Sequence, residues 1–186
     1  MREIRVGEIF WYAVGCFYVW KDGSTQDVGY FVELGGLPDL MSGARGPATA
    51  RFTFAAEPFR PTALPVNDRA DTFSASVDPP GQFTLYYQHE PAGDFAHPES
   101  FRHGLAIATF ERVSPVVGGS TAQAAMNQFT ARLVASTPFE HAGHRVDLAQ
   151  LVGFGVTQTG FAGAPFTPAA REATAARSFV GSAVRI

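Results

Sequence analysis

The stretch between residues 9 and 34 constrains the fold most. Two aromatic and β-branched runs, Phe10 to Trp20 and residues 28–34, flank Lys21-Asp22-Gly23-Ser24. Asp-Gly is a strong hairpin signal because glycine accepts the positive φ that tight turns need. The first run is apolar in both registers of the alternation. Trp11, Phe17 and Val19 fall on one face, and Phe10, Tyr12, Val14 and Tyr18 on the other. Such a strand must be covered on both sides. It lies at the centre of a fold, or in a homo-oligomer interface built on the strand Phe10 to Trp20. The run is too short to cross a bilayer as a helix and too rich in β formers, so no membrane span is expected.

The same alternation recurs downstream. Residues 51–54 read as a half-buried strand. Residues 72–77 and 82–89 read as a second hairpin turning at Asp78-Pro79-Pro80-Gly81, with Phe83, Leu85 and Tyr87 sharing a face. Strands are expected over 105–113, 127–136, 145–151, 153–160 and 178–185, with a tight turn at Ala142-Gly143. Glycines and prolines make loops of 35–49, of 58–71 and of the Ser-Pro and Gly-Gly stretch after Val113. Thr167-Pro168 resembles a helix N-cap with proline at the first position, predicting a short C-terminal helix to about Arg177. The expected fold is one all-β domain over 1–186. It would be an antiparallel barrel or two-sheet sandwich of about eight to ten strands.

Composition narrows the function classes. Hydrophobic residues make up 46% of the 186 and charged residues 17%, with 17 Phe, which a packed globular core explains and disorder does not. The net charge of -3 and scattered arginines give no basic stripe, so no nucleic-acid partner is expected. The single cysteine, Cys16, lies in an apolar run and reads as a small buried hydrophobe. No leader with a small-residue cleavage pattern is evident, which leaves the cytoplasm as the default compartment and a mature exported form with its signal removed as the alternative.

There is no P-loop, no Gly-x-Ser-x-Gly elbow and no Cys-x-x-Cys, and Gly153, Gly155 and Gly160 have the wrong spacing for a dinucleotide fingerprint. No cofactor is expected. In outline the fold is similar to calycin-type carriers and small barrel cyclases, although the lipocalin Gly-x-Trp signature is missing at Trp11 and Trp20. That likeness concerns architecture alone.

Three groups of residues could carry chemistry. His89, His97 and His103 share a stretch with Glu90, Asp94 and Glu99, offering N and O ligands but no known metal spacing. His141 and His144 flank Ala142-Gly143, so a two-residue turn sets them opposite each other as a weak metal half-site or pH switch. The third group is polar side chains on apolar strands: Glu33, Tyr86, Tyr87, His89, Glu111 and Arg132. Five of them, Tyr86, Tyr87, His89, Glu111 and Arg132, are the candidate ligand-binding set if a barrel wall turns them inward. Glu111 and Arg132 are placed to pair. The leading expectation is an internal cavity that binds an apolar or aromatic small molecule. A cofactor-independent acid-base enzyme using the same cavity, or an oligomeric assembly protein, is the alternative.

Overall fold

The computed structural model describes residues 3–60, 63–65, 74–76 and 81–186. Its centre is a closed antiparallel barrel of eight strands. Around the barrel run β1 (Ile9–Trp20), β2 (Thr25–Leu34), β3 (Phe52–Ala56), β6 (Gln82–Tyr87), β7 (Leu105–Arg112), β9 (Ala125–Ser136), β12 (Gly155–Ala162) and β13 (Ala173–Arg185). The β12–β9 and β13–β1 pairings close the circle. The short strands β4 (Ala63–Pro65), β5 (Ser74–Ser76) and β8 (Val116–Ser120) extend the sheet outward from β9. A separate hairpin, β10 (Phe139–His141) with β11 (His144–Val146), and one short helix, α1 (Leu148–Val152), sit at one end.

The β1–β2 hairpin forms as expected, but its turn is not the two-residue kind. Gly23 alone in the loop has positive φ, at 82°. Trp20 N–H donates to Ser24 at 2.8 Å and Gly23 N–H donates to Trp20 at 2.9 Å. This is a three-residue loop ending on a left-handed glycine, and it shifts the register by one residue relative to a two-residue turn. Phe17 therefore pairs with Asp27 and Gly15 with Gly29. In the other register Phe17 would have faced Val28.

Both faces of β1 are covered within the chain except at Tyr12, which is 48% exposed. Trp11 and Ala13 join the barrel interior with Phe31, Leu34, Phe52, Phe54, Phe83, Leu85, Ile107 and Phe110. Cys16 and Tyr18 point outward into a second cluster with Val28, Tyr30, Ala50 and Phe101. The loops over 35–51 and 89–104 supply that outer cover. The Tyr18 hydroxyl donates to Phe95 O at 2.6 Å, and the Thr53 hydroxyl donates to Phe101 O at 2.8 Å. Gln88 is buried between these layers and donates to both Thr53 Oγ1 and Ser100 O. Cys16 is buried as expected, and burial pushes its thiol pKa up.

Several expectations differ from the structure. The predicted helix from Thr167 to Arg177 does not form, because Ala173–Arg185 is a strand between β1 and β12. An alanine face offers little area to bury, while closure of the barrel offers two strand partners. The short helix is instead Leu148–Val152, overlapping the stretch 145–151 expected as a strand. Asp147 caps it by accepting from Ala149 N–H at 2.9 Å, and Leu148 and Val152 are buried. The second hairpin is not present either. β5 pairs with β4 and β8, whereas β6 pairs with β3 and β7. Its expected turn residues 78–80, like most of the loop 61–71, lie outside the described residues. The Gly118-Gly119 stretch, expected as loop, is part of β8.

Among the described residues no helix is long and apolar enough to cross a membrane.

Candidate functional site

The two ends of the barrel are built differently. At the end where β1 begins, the interior is solid. Phe52, Tyr87, Phe139 and His141 pack with ring centroids 4.9–5.9 Å apart, and α1 closes over them. His141 is buried and lies 2.7 Å from Pro38 O through Nε2 and 3.3 Å from the Tyr87 hydroxyl through Nδ1. A carbonyl only accepts, so Nε2 carries a proton and donates to Pro38 O, while Nδ1 is hydrogen-bonded to the Tyr87 hydroxyl.

Midway along the axis Trp11 spans the barrel. Its ring meets Phe31, Phe83 and Phe110 edge-on, with centroids 5.4–6.2 Å away. These rings form a floor. Beyond it the interior opens into two adjoining cavities of about 190 Å³ and 240 Å³.

Small residues make this space. Gly15 and Gly29 are paired across β1 and β2, and a Cβ on either would collide with an aromatic ring. The Phe179 ring lies over Gly15 and the Phe54 ring over Gly29. Both rings lie close against the wall instead of filling the centre, at 6.3 Å between centroids. Gly160 similarly makes room for the Asn127 side chain.

Six residues line both cavities: Phe17, Phe129 and Phe179, with Asp27, Asn127 and Gln158. The register explains their convergence. Asp27 opposes Phe17, Phe129 opposes Gln158, and Asn127 opposes Gly160. Asp27 is half-buried, and among the described residues no group hydrogen-bonds its carboxylate or the side-chain amides of Asn127 and Gln158. Burial in this aromatic setting pushes the Asp27 carboxyl up to about 6, and Arg112 partly opposes that rise.

Two guanidinium groups border the site. Arg112, from the end of β7, sits 4.3 Å above the Phe59 ring and 5.6 Å from that of Phe129. Arg177 donates to Gly163 O at 2.8 Å and Thr121 O at 3.2 Å, tying two loops across the mouth.

The chain matches no protein-family model, no curated protein and no solved structure. What the site does must be read from its geometry.

None of the five candidate binding residues lines either cavity. Tyr87 points inward at the solid end, and Tyr86 packs in the outer cluster. His89 is exposed, with its ring centroid 4.7 Å from that of Tyr87. Glu111 and Arg132 do pair, at 2.8 Å and 3.2 Å, on the outside of the barrel. Glu33 is exposed and accepts from Gly36 N–H. His141 and His144 oppose each other as expected, but the first is buried and the second exposed. His97 and His103 are exposed on their loop, His97 being 3.5 Å from Glu99. Among the described residues no three of His, Cys, Asp or Glu come together as a metal site.

Proposed function

We propose that this barrel binds a small, mainly aromatic molecule at its open end. One observation carries the reading. Two adjoining cavities share three phenylalanines and three polar side chains that have no hydrogen-bond partner among the described residues. Small-molecule sites commonly have this make-up, an apolar enclosure with a few converging polar groups. A cavity of roughly 150 Å³ holds a benzene ring, so each of these has room for one.

Trp11 on the cavity floor reports occupancy. In a Trp20→Phe background, which leaves the cavity lining untouched, titration with toluene should change the remaining tryptophan emission and raise Tm. Ala162→Phe, which places a ring inside the second cavity, should weaken both responses. An unchanged spectrum and Tm with millimolar toluene would remove the reading.

The position of Asp27 favours a second reading, cofactor-independent acid-base catalysis. A carboxyl titrating at about 6 in an aromatic cavity can both take and give a proton near neutral pH. On that reading Asp27→Asn would still bind the substrate and lose its turnover, whereas a pure binding protein shows no turnover to lose.

A further inference from the structure

We infer that the ligand is an uncharged aromatic or heteroaromatic compound with a hydrogen-bonding edge, an N–H or O–H donor beside an acceptor. This rests on the binding reading above and specifies its chemistry. The argument starts from what surrounds the space. Phe17, Phe129 and Phe179 offer flat apolar area on three strands, which suits a planar ring. Asp27, Asn127 and Gln158 also face both cavities and have no hydrogen-bond partner among the described residues. Asp27 and Gln158 are half-buried and Asn127 is exposed, so water can reach all three, and an occupant that displaces it should supply the hydrogen bonds that the protein does not. An ionised carboxylate only accepts, which calls for a donor on the ligand. The two amides each offer donors and an acceptor, which permits an acceptor beside that donor.

The surrounding charges are of both signs, one carboxylate and two guanidiniums, so an ion of either sign meets a like charge as well as an opposite one. A ligand carboxylate would meet Asp27 as a like charge. An ammonium would meet Arg112, which lines the first cavity, and Arg177, which lines the second. Arg177 already directs N–H groups at two backbone carbonyls, and Arg112 lies against the faces of Phe59 and Phe129. A neutral ring with a polar edge avoids both repulsions and satisfies the three side chains.

Four probes of similar size test this by Trp11 emission and Tm: toluene, 2-pyridone, benzoate and benzylammonium. Hydrogen bonds to a charged group imply that 2-pyridone binds at least about tenfold tighter than toluene. Benzoate and benzylammonium should bind more weakly than 2-pyridone. Asp27→Leu should remove most of the preference for 2-pyridone and keep toluene binding. The isosteric Asp27→Asn should reduce the preference without altering the shape, which covers the case where the leucine variant folds poorly. If toluene binds as well as 2-pyridone, or either ion binds best, the inference is overturned while the cavity remains a binding site. If none of the four binds, the binding reading itself fails.

Discussion

The two ends of this barrel use the same kinds of residue to opposite effect. At the solid end, Phe52, Tyr87 and Phe139 interlock, and the one polar ring among them, His141, is hydrogen-bonded on both nitrogens. At the open end, Phe17, Phe129 and Phe179 line the walls, and three polar side chains have no hydrogen-bond partner among the described residues. Aromatic content alone therefore does not distinguish a core from a site. What distinguishes them is whether the polar atoms are already satisfied and whether glycines keep the rings at the wall.

Substitutions at the two ends should separate these roles. Phe52 is fully buried. Phe52→Ala should cost about 3–5 kcal/mol in urea unfolding and leave the preference among ligands unchanged. Phe129→Ala, at a half-buried wall position, should cost less than half of that and weaken toluene binding. A reversal of that order would break the comparison. Gly29→Ala should cost about 1–3 kcal/mol, because its Cβ would meet both the Val14 carbonyl and the Phe54 ring.

Asp27 gives a smaller effect of distinctive sign. Its carboxyl titrates near 3.9 in an unfolded chain and at about 6 in the fold. Between those values the folded state holds a proton that the unfolded state has released. Its contribution is therefore fully present below about pH 4 and is lost as pH rises through 6, a loss of about 3 kcal/mol. The charged groups bordering it are Arg112 and Arg177. Chemical denaturation from pH 4 to 7 should show this slope in the wild type and not in Asp27→Asn, which should be the more stable protein at pH 7. The smallest effect belongs to the outer wall. Glu111→Gln should change stability by less than about 1 kcal/mol, since Arg132 in that pair is half exposed, and should leave binding untouched.

The difference between the ends also marks how far the sequence could be read. Strand alternation was legible wherever one strand face is buried, as at Phe83, Leu85 and Tyr87, and the doubly apolar β1 correctly demanded cover on both sides. The site was less legible because its parity depends on irregularities. Asp27 faces the interior only because the hairpin loop has three residues, and Asp-Gly by itself also suits a two-residue turn. Glu111 attracted attention on β7, yet its neighbour Arg112 is the one on the inner face. The register there shifts between Thr109 and Phe110. A signal did exist: with the loop length fixed, Asp27 becomes a lone carboxylate directly across from Phe17 on an otherwise apolar face. The outer strands β5 and β8 were harder, because their partners are set by tertiary contacts and not by adjacent turns.

The pairing of β1 with β13 has a consequence for how the molecule is made. Residues 9–20 find one neighbour in β2 at once, but the other lies at residues 173–185. During synthesis the first hairpin must wait, with one edge open, until residues 173–185 have left the ribosome. Nascent chains with unpaired edges are the ones that aggregate, and late long-range pairing slows folding. Yield in the cell should then depend more on translation rate and chaperone supply than the stability of the finished barrel would suggest.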